Sequence, residues 1–221
     1  CCGDDAGYTP GLDERLGDTS ITFDRCFSNG PLTLSSISSM MTSTHPLEYG
    51  GEGYLAEGRR TWAEVFAENG YTTGAIHSNP TLMRKRNFDR GFDHYDDDLL
   101  PQSLSVLRNL STQRLLKVTN LYRKLRRVPY LEADDINAKA RQWVDERTDP
   151  YFLWIQYMDV HGPYFDRDGL FPWYDRYRSQ QFFRRAIEDP ESISEDEKAR
   201  LEELYTDDVR FTDEQLSAFI D

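Results

Sequence analysis

Eight of the seventeen residues from 30 to 46 (GPLTLSSISSMMTSTHP) are Ser or Thr. A hydroxyl attacks a phosphate or sulfate ester only where its alkoxide is stabilised and the anion is held beside it. Leu34, Ile37 and Met41 fall at i, i+3 and i+7, with Met40 beside them, which places a helix from Thr33 or Ser35 to Ser43. Pro31 stands just ahead of it and Pro46 just after. Thr33, Ser35 and Ser36 then lie at the helix N-terminus, where unpaired backbone N–H groups and the helix dipole favour an anion. The same place suits a simple N-cap, so Thr33 or Ser35 has two roles open to it. His161 and Asn79 are the other candidates, each just past an apolar segment. A histidine there can donate to an anion or satisfy loop carbonyls. An asparagine before Pro80 can supply a neutral donor or make a turn.

These groups need elements to position them. Residues 1–29 read as loop and turns, with Ile21, Phe23 and Cys26 available to pack inward. Thr61 and Glu64 have the spacing of a capping box, Trp62, Val65 and Phe66 follow at helical spacing, and Gly70 ends the helix. YTTGAI is then a short strand, closed by His77, Ser78, Asn79 and Pro80. A second unit starts with a helix along Ile136, Ala140, Trp143 and Val144, with Asp134 or Asp135 as its cap. YFLWIQYM follows, an apolar run suited to a strand covered on both faces, as in a parallel sheet. Ligands of such sheets gather beyond the carboxyl ends of the strands, which is where Asn79 and His161 fall. Asp96, Asp97 and Asp98 read as a solvated acidic turn. Ser194 and Glu197 form another capping box, opening a helix along Leu201, Leu204, Tyr205, Val209, Leu216 and Phe219. A domain seldom stops as a helix ends, and the chain does not begin with Met, so an internal fragment is expected.

The chain carries 39 acids against 26 bases, a formal charge of -13, and only five of the bases are Lys. That surface suits a halophile, and it excludes nucleic acid as the main partner, which needs clustered positive charge. No run of about eighteen apolar residues is present to span a membrane. Cys1, Cys2 and Cys26 match no zinc or disulfide pattern, so free thiols in a reducing, cytoplasmic compartment are expected. Residues 101–130 contain no acid, and their Arg and Lys accompany regularly spaced Leu. They read as a basic helical insertion that pairs with the protein's own acids or meets a membrane surface, a polyanion or a partner.

Taken in order, these segments resemble the sulfatase branch of the alkaline phosphatase superfamily. Residues 8–16 (YTPGLDERL) are similar to its "TPNLDRLA" segment, and 21–27 (ITFDRCF) to "GVxFxNAYS". Residues 33–42 (TLSSISSMMT) match the frame of "CxPSRASLLTG", and 45–50 resemble "YPxxHG". GYTT at 70–73 matches "GYxT", FDRGFD at 88–93 matches its namesake, and YMDVHGPY at 157–164 resembles "YMDPHxPY". Residues 205–216 resemble "YxAEVRYxDxxLG".

The resemblance implies an alkaline-phosphatase-like layered α/β fold with a mostly parallel central sheet flanked by helices. One partial catalytic domain would span residues 1–221. It also implies metal-assisted attack on a sulfated or phosphorylated sugar, aryl or lipid headgroup, with Thr33 as nucleophile and metal contact. His161 would hold the substrate anion. The divalent metal would be calcium, or else manganese or zinc, and its other ligands would lie outside this chain. Where the family has Cys or Ser, then Pro and Arg, for conversion to formylglycine, this chain has Thr33, Ser35 and Ile37, so formylglycine is not expected. The family's Lys and His after "GYxT" are replaced by Ser78 and Pro80. Two other functions fit the same residues: a Thr-nucleophile phosphodiesterase or phosphotransferase on glycan or lipid headgroups, and a non-catalytic member that binds a partner through residues 101–130.

Overall fold

The structure, a computed structural model, describes residues 7–17, 20–21, 23, 25–45, 48, 54–98, 130–164, 166–167 and 172–220. Its sheet is parallel: β1 (Thr72–His77), β2 (His94–Asp96) and β3 (Tyr151–Gln156), in the order β2-β1-β3. β1 and β3 pair along their whole length, from Thr72 opposite Tyr151 to His77 opposite Gln156, so their carboxyl ends lie side by side. Successive side chains face opposite ways and both faces are covered. On one face Ala75 and Tyr95 cluster with Leu55, Leu82 and Phe88, and Leu34, Ile37 and Trp154 pack against them. On the other, Ile76 joins Leu131, Ile136, Ala140 and Trp143, flanked by Leu153, Ile155 and Phe219. Gly74 gives Trp143 its place, since a Cβ there would stand 2.6 Å from the indole. β3 is less covered than its apolar run suggests: it is half-buried and lies at an edge of the described sheet.

The helices are α1 (Pro10–Leu16), α2 (Thr33–Thr42), α3 (Trp62–Glu68), α4 (Ala133–Asp145), α5 (Pro172–Glu188) and α6 (Glu195–Ile220). Both capping boxes form: Thr61 with Glu64 opens α3, and Ser194 with Glu197 opens α6. Gly70 follows α3 at φ 83, the left-handed conformation that stops a helix there. α3 keeps only Phe66 of the expected face. Ala63 is buried and Phe66 stacks on Phe152 at 4.3 Å, while Trp62 and Val65 are exposed.

Two helix caps come from far away in sequence. Residues 1–29 are not all loop: α1 starts at Pro10, and the N–H groups of Gly11 and Leu12 donate to the Asp213 carboxylate at 2.7 and 2.9 Å. Asp213 is buried on α6, so the cap is invisible in local sequence. Neither Asp134 nor Asp135 caps α4; both sit in its first turn, and the Ala133 N–H donates to Asp159 Oδ1 at 3.1 Å. Ile21, Phe23 and Cys26 do not pack inward but are exposed.

The FDRGFD motif binds β2 to β1. Phe88 is buried, Arg90 donates to Ala56 O at 2.7 Å, and Asp93 accepts from Thr73 N at 2.9 Å. Asp96 is the last residue of β2 rather than part of a solvated turn. Its two oxygens lie 3.0 and 3.1 Å from Lys139 Nζ, and Lys139 is buried on α4. Of the basic segment, residues 101–129 lie outside the described residues. No described helix is long and apolar enough to cross a membrane.

Removing one member of a buried ion pair strands the other charge, at about 3–5 kcal/mol. Lys139→Ala is expected to lower stability to urea by about that much, and Lys139→Met combined with Asp96→Asn to recover most of it. Equal midpoints for Lys139→Ala and the parent would contradict the pair's role.

Candidate functional site

α2 carries the hydroxyl-rich stretch and begins at Thr33, after an extended Leu32. Neither Thr33 nor Ser35 caps it. No side chain caps this N-terminus, and the Ser35 hydroxyl instead donates back to Leu32 O at 3.0 Å. α1, α3, α4 and α6 each hold an acid in the first turn; α2 holds none. In so acidic a chain, the positive end of α2 thus has no acid of its own first turn set against it. Most neighbouring hydroxyls are spent on the chain itself. Ser36 bonds Ser28 at 3.0 Å, Ser39 accepts from Asn29 at 2.9 Å, Thr42 donates to Ser38 O at 2.8 Å, and Ser43 accepts from Trp62 at 2.8 Å. Thr33 is partly exposed, and its hydroxyl bonds no other described side chain.

A second set of polar groups gathers at the carboxyl ends of β1 and β3. Asn79 is buried, and its Oδ1 accepts from Thr81 N at 2.8 Å, so its carbonyl makes the turn. The Asn79 N–H donates to His77 Nδ1 at 3.1 Å, which puts the ring proton of a neutral His77 on Nε2. His77 is not a turn residue but the fully buried end of β1, and that burial lowers its pKa to about 4 against the pull of Asp97 and Asp96. Its Nε2 finds no partner among the described residues, nor do Gln156 Oε1 and Asp159 Oδ2. Unsatisfied buried polar atoms are uncommon, and these three lie at or just past the ends of paired strands. No local signal marks His77, because an apolar strand closed by a turn accounts for it fully.

His161 is exposed in the loop after β3, and its Nδ1 lies 2.8 Å from Gly162 O. A carbonyl only accepts, so Nδ1 carries a proton, and the remaining Nε2 donates to an anion only when the ring is an imidazolium. Gly162 lets the loop lie against α5, since a Cβ there would stand 2.8 Å from the Phe183 ring. Asn79 and His161 thus sit at one end of the sheet, and α2 packs over one of its faces. No hydrogen bond or ring contact among the described residues joins Thr33 to either of them. No group of three or more His, Cys, Asp or Glu among the described residues could hold a metal ion. The described residues therefore do not fit a complete divalent-metal site.

A parallel sheet with α2 packed over one face and polar groups just past its strand ends is a layered α/β arrangement of the kind whose ligands gather beyond the carboxyl ends of the strands. The chain belongs to the sulfatase family, whose model matches residues 1–221. The match covers the whole chain, and members of this family generally use a divalent metal. No curated protein and no solved structure matches the chain.

Two buried groups respond to acid in opposite directions. His77 is depressed to about 4, so the stability of its neutral form is present above the ordinary histidine value of 6.5 and is lost as pH falls through that value toward 4. Asp159 is raised to about 6, chiefly by burial, so its contribution is present below the ordinary 3.8 and is lost as pH rises toward 6. The two slopes offset between about pH 4 and 6. Asp159→Asn removes one of them, so this variant's stability is expected to rise with pH more steeply than the parent's, by about 1 kcal/mol per pH. Urea midpoints across that window test this, and parallel curves would contradict it.

Proposed function

We propose that the protein acts on a sulfate or phosphate monoester through the Thr33 hydroxyl. The observation that carries this is the first turn of α2, with no side-chain cap, no acid and a hydroxyl at its first residue. Thr33 Oγ1 bonds to the sulfur or phosphorus, the ester bond to the alcohol breaks, and the alcohol leaves with the proton given up by Thr33. Water then cleaves the Thr33 ester, releasing inorganic sulfate or phosphate and restoring the hydroxyl. Helix N–H groups stabilise the charge that develops on the non-bridging oxygens, and His161 holds the anion. Asn79 serves the site mainly through its turn, which sets the end of β1.

Threonine at position 33 favours a second enzyme class, a phosphodiesterase or phosphotransferase on glycan or lipid headgroups. Ser and Cys can be converted to formylglycine; Thr33 offers the same first step only as an alcohol. Assays in high salt on an aryl sulfate, a phosphate monoester and a phosphodiester separate these classes. A protein inactive on all three would fit the non-catalytic member that binds through residues 101–130.

Thr33→Ala is expected to lower turnover of the best of these substrates by about a thousandfold or more, with Thr33→Ser retaining part of it. His161→Gln is expected to raise KM by about tenfold to a hundredfold, the worth of one charged hydrogen bond. Full activity in Thr33→Ala would sink the nucleophile assignment.

A further inference from the structure

Four consecutive residues just ahead of and opening α4 each fasten a different part of the candidate site. The Tyr130 hydroxyl donates to His161 O at 2.8 Å, and the two rings meet edge to face at 6.5 Å. Leu131 N donates to Ser78 Oγ at 2.8 Å, next to Asn79. Glu132 lies 3.2 Å from Arg167. Ala133 N donates to Asp159 Oδ1 at 3.1 Å, two residues before His161. Arg167 closes the bracket: it reaches Asp159 at 3.2 Å and Asp208 on α6 at 2.9 Å, and it stacks over the Phe211 ring at 3.7 Å.

The bracket is dry. Tyr130, Leu131 and Ala133 are buried, Met158 packs against Tyr130, and Asp159 and Asp208 are 2 % and 0 % exposed. The bonds from Leu131 N to Ser78 and from Ala133 N to Asp159 are correspondingly costly to break, because a freed partner there would stay buried. His161, by contrast, is exposed and has little packing of its own to choose its position. Its placement depends on what holds its backbone, and a misplacement of about an ångström in catalytic geometry can cost about a hundredfold in rate.

We propose that residues 130–133 form a clamp that positions the His161 loop against the end of β1, with Tyr130 and Asp159 as its positioning residues. The clamp rests on the reading of His161 as the group that meets a tetrahedral oxyanion. Tyr130 fixes the loop at the His161 carbonyl, and Asp159 fixes its root to α4 and, through Arg167, to α6. Neither touches the substrate. Both sheet ends and α6 then move together or not at all, because one short strip holds them.

The test uses two variants that remove little. Tyr130→Phe deletes one hydroxyl and keeps the ring. Asp159→Asn keeps an acceptor for Ala133 N and removes the charge facing Arg167. Histidine ring signals of the full chain are recorded by NMR, with His161 assigned from His161→Gln, during titration with inorganic sulfate and inorganic phosphate. Retained His77 and His94 signals report an intact fold. In both variants the His161 signal is expected to move or broaden before any anion is added, and anion affinity to fall by about tenfold or more. Kinetically, KM should rise while kcat changes little. A His161 signal that responds to anion equally in the parent and both variants overturns the clamp alone. A parent whose His161 ignores both anions overturns the proposed function, and the clamp's part in binding with it. If Asp159→Asn loses the His77 and His94 signals, Tyr130→Phe decides the matter by the same two readouts.

Discussion

A carboxylate buried against the open N–H groups of a distant helix is the constraint on which this structure depends. Asp159 meets α4 in this way and Asp213 meets α1. Each interaction satisfies amides that no local residue caps and sets the N-terminal half-charge of a helix against a full negative charge. Each also joins segments that are far apart in the chain, the β3 loop to α4 and the final helix to the first. Asp159 is held there against its own preference, since burial pushes its pKa up to about 6 despite Arg167 and Ala133.

The acid-rich composition therefore has two faces. Most carboxylates coat the surface, but Asp96, Asp159, Asp208 and Asp213 point inward, and each meets a cation or backbone amides. Against this background the start of α2 differs by omission: it has neither a side-chain cap nor an acid. The order of the parts then follows from topology. β1 and β3 run parallel in register, so the residues that follow them emerge together, and α2 lies over the face that also carries His77 and Trp154.

Local signals were readable where the physics is local. The span of α2, both capping boxes, β1, the apolar run of β3 and the apolar face of α4 all follow from spacing, and the ordered motifs led to the family. Signals that depend on partners far along the chain were not readable. α1 reads as loop in the sequence because its cap is 202 residues away in Asp213. The Asp96 run resembled a solvated turn because its partner, Lys139, lies on another element. Trp62 and Val65 had helical spacing but not burial, since Ala63 and Phe66 carry that face. His77 passed unnoticed because nothing in a strand-and-turn pattern says that a ring nitrogen will be buried without a partner. Of the candidate site, position was legible and roles only partly: Asn79 makes its turn, and His161 Nδ1 is already engaged with Gly162 O.

The reaction proposed for this member of the sulfatase family turns on one atom, the Thr33 hydroxyl oxygen. The most direct measurement is acid quench during turnover of an aryl sulfate or aryl phosphate, followed by mass spectrometry of the tryptic peptides. The account predicts a sulfated or phosphorylated Thr33 in the peptide running from Cys26, lost again as the intermediate decays. Turnover with the ester on Ser36 or another residue, or with no ester at any time in the burst, would contradict it.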